Sequence, residues 1–480
     1  MKIKKIELIN NQYFGNATFE FTNEDGNIMD NVILAGENGC GKTQLLNLIY
    51  DFSALSLDGV VSSEIRKFTV GLTDDESQQI NSVMDAINVL FSDFGELEVV
   101  FDFTVQPNYW NRIKVKYYPN DENNDGGVVD IDSSRLFSGV NVRKIFKAVF
   151  STVEINYTPR STSTITAQEI DEDLENSLRS SDELATEIQQ LFIDISTNDA
   201  MDLQNWVNEH ETDSVPSEVR NRRINRFKHA FATVFDDLNF YKITTENNMK
   251  KVIFKKKDQE VDIASLSSGE KQIVFRGAFL IRNQESIKGN IILIDEPEIS
   301  LHPTWQKKIL NYYRNLFVDE RGNQNSQIFI ATHSQYVLSS ALLINGKTSI
   351  ILMKRINNSI ETKRISTPLV LPSITSAELN YTIFDIISND YHIELYAYLQ
   401  QKAAEFYGKD ECSIKKCDKY ITGHSAFDET VHRRESRYKA TRYFALPTYI
   451  RNAIDHPEPD KTYTEEELRR SIELLIELCL

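Results

Sequence analysis

The chain has 480 residues, 41% hydrophobic and 10% aromatic, enough for a sizeable core and for two domains, or one with a large appendage. A formal charge of −18 removes any uniform attraction to nucleic acid, so DNA or RNA could be met only through local basic patches. No stretch reaches the roughly 18 apolar residues of a membrane helix, and four cysteines are too few for a disulfide framework, so a soluble, cytoplasmic protein with no membrane partner is expected.

The first fifty residues read as strand, turn, strand, Gly-rich loop and helix: IKKIELI and NATFEFT alternate, NVILAG runs apolar, and QLLNLIYDF turns helical. Between the last two lies Gly36-Glu37-Asn38-Gly39-Cys40-Gly41-Lys42-Thr43, which fits G-x-x-x-x-G-K-[ST] in the strand-to-helix setting that a phosphate-binding loop requires. Its glycines let backbone N–H groups turn toward phosphates, Lys42 reaches the β and γ phosphates, and Thr43 holds Mg²⁺. Gln44, opening the helix, joins the expected ATP contacts with Gly36, Asn38, Gly39, Cys40 and Gly41.

Residues 97–118 alternate and predict an antiparallel layer. Gln106 follows the first strand-like run of this stretch. From Ser163 to Phe240 the chain turns acidic and helical without sustained heptads, which predicts a compact helical lobe inserted into the α/β head. The stretch NFYKITTENNMKKVIFKKK then reads as strand.

Ile291-Ile292-Leu293-Ile294-Asp295-Glu296-Pro297 is an apolar strand ending in two acids, which a buried parallel strand would deliver to the phosphate edge of the sheet. Asp295 is the expected Mg²⁺ ligand and Glu296 the expected base for the attacking water. Ala331-Thr332-His333-Ser334 closes another apolar strand, TSIILMKR supplies one more, and from Ser366 onward only helices are predicted.

Leu266-Ser267-Ser268-Gly269-Glu270 resembles the LSGGQ signature of ABC ATPases, with Ser268 and Glu270 departing from its first Gly and its Gln. The resemblance implies that Ser267, Ser268, Gly269 and Glu270 cap the nucleotide held by another copy, so that a homodimer sandwiches two ATP molecules. It also implies that Glu298-Ile299-Ser300-Leu301-His302-Pro303 is the D-loop, and that His333 contacts the γ-phosphate and acts with Glu296 in catalysis. Read alone, LSSGE is equally an ordinary helix N-cap with a capping acid. The order of motifs is similar to SMC and RecF-type heads, and Asp295 to Pro303 to OLD-type and defence-associated ATPases. The implied fold is α/β, a P-loop NTPase of ABC type: an ATPase head over 1–162 and 241–367, the helical insertion over 163–240, and an all-helical C-terminal domain over 368–480.

That domain contains Asn389-Asp390-Tyr391-His392-Ile393-Glu394-Leu395-Tyr396 and the stretch from Tyr449 to Leu475, which resemble the PtuA-type ATPases of Septu anti-phage systems, found also beside some retrons. This resemblance implies an HNH endonuclease partner of PtuB type that cuts DNA, gated by ATP. Arg451 and His456 have the R-x-x-x-x-H spacing of HEPN-type ribonucleases; one helix would set them about 140° apart, so they converge only if the helix ends between them. A ribonuclease and a DNA-repair ATPase therefore stay open beside the defence reading. Cys412 and Cys417, without a second pair, do not make a zinc site. Basic runs at Lys250, Lys251, Lys255, Lys256 and Lys257, at Arg220, Arg222, Arg223 and Arg226, and at Arg433, Arg434, Arg437, Lys439 and Arg442 are solvated faces or phosphate contacts.

Overall fold

The computed structural model describes the chain except residues 57–62, 85–95, 106–111, 119–128, 154–156, 173–175, 211–214, 217–218, 221, 286–288, 319–322, 345–346, 357–358, 366 and 439–440. Gln106 and Lys439 lie outside the described residues. Two units emerge, Met1–Arg364 and Ile365–Leu480, against a boundary expected after residue 367.

The first unit opens with an antiparallel layer. β1 (Lys2–Asn11) pairs with β2 (Gly15–Glu20) on one side and, on the other, with β4 (Ile65–Gly71), β5 (Glu96–Asp102), β6 (Ile113–Tyr118) and β7 (Val129–Ile131) in turn. A register shift between Ile3 and Lys5 lets Ile3 share the buried face of Ile6 and Leu8 despite its odd spacing. Three short helices lie in the same stretch: α2 (Asp74–Met84), α3 (Ser133–Leu136) and α4 (Val140–Ile145).

The second layer is a sheet in the order β16 (Ser359–Ile365), β15 (Thr348–Ile356), β3 (Asn31–Ala35), β14 (Gln327–Thr332), β13 (Ile291–Asp295), β8 (Ala148–Ser151) and β9 (Leu178–Arg179). From β15 to β9 each neighbouring pair is parallel. Every residue of β3, β13 and β14 is buried, which is why these strands read as continuous apolar runs. α1 (Lys42–Ser53) crosses β8, β13 and β14, and its Phe52 stacks on Phe68 of β4 at 4.1 Å, tying the two sheets together. Buried Gln327 reinforces the join, accepting from Ile3 N at 2.7 Å and donating to the Ile3 carbonyl at 3.0 Å.

The insertion is not the separate helical lobe expected over 163–240. Its first part contains no helix among the described residues and supplies β9 to the central sheet. Two helices follow, α5 (Leu184–Glu209) and α6 (Arg222–Ala232), and both pack on α7 (Ser268–Ile281) of the head. The three-stranded antiparallel sheet β10 (Leu238–Glu246), β11 (Met249–Lys256) and β12 (Gln259–Asp262) comes next, with α5 against β11. α8 (Pro303–Asn315) and α9 (Gln335–Leu342) complete the head.

The second unit contains α10 (Ser376–Phe384), α11 (Asn389–Phe406), α12 (Ile414–Thr422), α13 (Leu446–Asp455) and α14 (Glu465–Cys479). It is not all-helical: β17 (Arg433–Tyr438) and β18 (Thr441–Ala445) form an antiparallel hairpin. The apolar side of that hairpin comes only from alternate residues such as Tyr443 and Ala445, so in sequence it reads as a basic run.

Candidate functional site

Parallel pairing places the C-terminal ends of β3, β14 and β13 side by side, Thr332 opposite Ala35 and Ala331 opposite Asp295. The Gly-rich loop, His333 and the acid pair are thereby delivered to one edge of the sheet.

The loop needs its glycines. Gly36, Gly39 and Gly41 have φ of +146°, +77° and +98°. A Cβ on Gly36 would stand 2.1 Å from the Met353 carbonyl, and one on Gly41 would stand 2.7 Å from the Tyr13 ring. α1 begins at Lys42 with no side-chain cap, which leaves its first amides to an anion. Asn38, Gly39, Thr43 and Gln44 line the exposed side. Cys40 differs from its expected role: its thiol is buried 3.6 Å from Lys42 Nζ, and its N–H donates to the Glu37 carbonyl at 3.4 Å. Lys42 Nζ donates to the carbonyls of Gly36 and Glu37 at 2.9 and 3.0 Å. Burial lowers its pKa, with Cys40, Glu296 and Asp295 acting in opposition. Sequence gave no sign of Tyr13 and Arg355, which both donate to the Gly39 carbonyl, at 2.6 and 3.2 Å.

Asp295 is almost wholly buried and accepts a hydrogen bond from the Thr43 hydroxyl, while its Oδ1 has no hydrogen-bond partner. Burial raises its pKa against that bond. Glu296 holds φ of +44°, strained for a side-chain-bearing residue, and its backbone is fixed on both sides. Its N–H donates to the Ala331 carbonyl at 2.9 Å, and its carbonyl accepts from Arg276 at 3.2 Å. Arg276, buried on α7, also donates to the carbonyls of Asp295 at 2.7 Å and Thr152 at 2.5 Å, so it couples α7 to the acid pair.

His333 bridges the two halves: Nε2 is 3.1 Å from Glu296 Oε1 and Nδ1 is 3.4 Å from Lys42 Nζ. Burial first, and Lys42 second, hold its pKa below the ordinary value, against the pull of Glu296. The loop bearing it hangs on Glu298, whose Oε1 accepts from Thr332 Oγ1, His333 N and Ser334 N at 2.7, 2.6 and 3.1 Å. His302 serves structure, accepting from Thr304 N as the N-cap of α8.

Ser267 caps α7 in a full capping box with Glu270, and Ser267 and Ser268 are exposed at the helix N-terminus. Glu270, expected to meet nucleotide, is instead turned inward. Its carboxylate accepts from Ser267 N and Ser267 Oγ, each at 2.8 Å, and from Lys256 Nζ at 2.6 Å. Burial pushes its pKa up, but those bonds outweigh it and the net shift is downward. Gly269 has its own steric reason, since a Cβ there would lie 2.8 Å from the Ser300 carbonyl.

Outside this edge the expected groups are dispersed. α13 ends at Asp455 and His456 leaves the helical region with ψ of 74°, but Arg451 is held by Asp455 at 2.6 Å and Asn452 at 3.0 Å. Arg223 binds Glu169, Asp199 and Asp202, and Arg226 binds Asp171, so these cations serve the packing of α6.

The profile of a family described as "AAA domain, putative AbiEii toxin, Type IV TA system" matches residues 32–339. The chain is 27% identical over 131 residues to the "Retron Vc95 probable ATPase" of Vibrio cholerae serotype O1 biovar El Tor, a match covering 25% of this chain and 24% of that one. It is 23% identical over 406 residues to the "Retron Ec83 probable ATPase" of Escherichia coli, covering 70% of this chain and 69% of that one. Among solved structures, an SMC head bound to the C-winged helix domain of ScpA is 13% identical with a TM-score of 0.42, covering 76% of this chain and 98% of that one. The SMC head domain from Thermotoga maritima is 12% identical with a TM-score of 0.37, covering 76% and 100%. Among the described residues, no helix is long and apolar enough to cross a membrane.

Proposed function

The chain belongs to the AAA domain family just described, related to retron ATPases, and from that premise we propose that it is the ATP-binding subunit of an anti-phage defence complex that gates a PtuB-like HNH endonuclease. The observation that carries the ATPase part is the convergence of Lys42, Asp295, Glu296 and His333 at the ends of three adjacent strands. The loop amides and Lys42 would hold the triphosphate, with Asn38 and Gln44 at its rim. Buried Asp295, with one oxygen free of hydrogen bonds and the other group of the pair a hydroxyl from Thr43, fits Mg²⁺, a hard cation that takes oxygen ligands. Bound there, the ion would neutralise phosphate charge. Glu296 would accept a proton from the attacking water as the terminal phosphate leaves ADP, and His333, uncharged at neutral pH, would contact that phosphate.

Ser267, Ser268 and the N-terminus of α7 would cap the nucleotide of a second copy, so the working unit is a homodimer closed by ATP. Lys42→Ala should abolish ATP binding, while Glu296→Gln should bind ATP and stall turnover; equal hydrolysis rates in wild type and Glu296→Gln would refute the assigned base. For the partner, co-purification of an HNH protein encoded next to this chain, with DNA cleavage that responds to ATP, is the expected result. A partner-free protein that cuts RNA, and loses that activity on His456→Ala, would favour the ribonuclease reading. The end of α13 at Asp455 keeps that reading alive.

A further inference from the structure

The second unit distributes its charge unevenly. Over residues 365–480 the sequence has fourteen Lys and Arg against nineteen Asp and Glu, yet five of those cations and a single acid fall within residues 433–442. Strand alternation then sorts the arginines by role. Arg434 is structural: its guanidinium lies 3.8 Å from the centre of the Tyr449 ring, binds Glu467 and donates to the Thr462 carbonyl at 2.8 Å. Arg433, Arg437 and Arg442 are exposed, and so is Phe444.

These side chains share the outward face of β17–β18. The register sets Arg437 directly opposite Arg442, which gathers two guanidinium groups on one face of the hairpin. Arg433 sits over the Phe444 ring at 5.4 Å. Glu429, 3.4 Å from Arg433, and Glu435, 3.6 Å from Arg442, are themselves exposed. Such surface pairs contribute little and exchange readily for phosphate. Arg223 and Arg226 of α6 differ, since they are locked into acids that hold that helix in place.

We propose that the exposed face of the β17–β18 hairpin binds single-stranded nucleic acid, with Arg433, Arg437 and Arg442 on the phosphates and Phe444 as the platform for an unpaired base. Guanidinium groups interleaved with an aromatic ring supply both parts of sequence-tolerant single-strand binding. On a chain with a formal charge of −18, a local excess of exposed cations is a place where a polyanion is drawn in. The inference is independent of the ATPase reading.

The test uses full-length protein and fluorescence anisotropy with short fluorescein-labelled single-stranded DNA, RNA of the same sequence and the corresponding DNA duplex, between about 50 and 200 mM salt. Wild type should bind a single strand, DNA or RNA, more tightly than duplex. R433E/R437E/R442E should weaken that binding by at least about tenfold and flatten its salt dependence by about two in log–log slope. F444A should weaken single-strand binding while leaving duplex binding unchanged. ATP hydrolysis without nucleic acid should match wild type in every variant, and the milder R437Q/R442Q covers the case in which the triple variant does not fold. Wild type that binds no single strand, wild type that prefers duplex, or folded variants that bind as wild type would each overturn the proposal.

Discussion

The carboxylate of Glu298 is a main anchor of the loop of His333, because three donors from consecutive residues converge on one of its oxygens. Removing a charged acceptor from buried donors costs about 1–3 kcal/mol, and Glu298→Gln keeps the volume while removing the charge. The expected outcome is a fall in kcat of about tenfold or more with ATP affinity within a few-fold of wild type, because Lys42 and its loop are untouched. Unchanged kcat would remove Glu298 from the positioning of His333. A second residue-scale prediction concerns pH. His392 is fully buried in the second unit beside Ser471, and burial lowers its pKa to about 3. The unfolded chain therefore binds the proton first as pH falls below about 6.5, so this stabilisation is complete above that value and is lost on acidification toward about 3. Each pH unit in that window removes roughly 1.4 kcal/mol, which amide-exchange protection of α11 between pH 7 and 5 would register, and which His392→Gln would flatten. The gathering of Lys42, Asp295, Glu296 and His333 at one edge of the sheet was legible because each stands at a fixed place in a strand-end motif. Those of Arg276, Tyr13 and Arg355 were not, since each acts on backbone carbonyls that only the fold brings near.

Among the elements, what could be read depended on whether burial left a period in the sequence. β3, β13 and β14 are covered on both faces and announce themselves as apolar runs. β9 spans two residues and β17, RRESRY, is charged or polar up to Tyr438, so neither has an apolar signal of its own. The capping box of α7 is the helix N-cap that LSSGE reads as alone, and it leaves the same serine exposed, as a cap on a second copy's nucleotide would require. That pair of requirements yields a prediction for the element. Ser267→Ala should cost about 1 kcal/mol of stability through the lost cap. In the Glu296→Gln background it should also abolish ATP-dependent dimers in light scattering while leaving ATP binding to the monomer. Dimers that persist would detach Ser267 from the shared nucleotide and leave it a helix cap.

At the scale of the whole molecule, the two units each own a core. The second gathers Leu395, Leu399, Ile421, Ile450, Ile472 and Leu475 into one cluster. Asp418 of α12 fastens the hairpin to that cluster by accepting from Phe444 N at 3.0 Å and Ala445 N at 3.1 Å. Its length lies in the ordinary range of single domains, and a core of its own is the physical requirement for folding alone. Residues 365–480, expressed separately, should therefore unfold cooperatively in urea by far-UV circular dichroism. The full chain offers an internal control, because Trp110, Trp206 and Trp305 are its only tryptophans and all precede the boundary. Tryptophan fluorescence then reports the ATPase head alone, whereas circular dichroism reports both units, and ATP should shift the fluorescence transition to higher urea. A fragment that melts without cooperativity would mean that the core of the second unit depends on the head, and that the chain unfolds as one body.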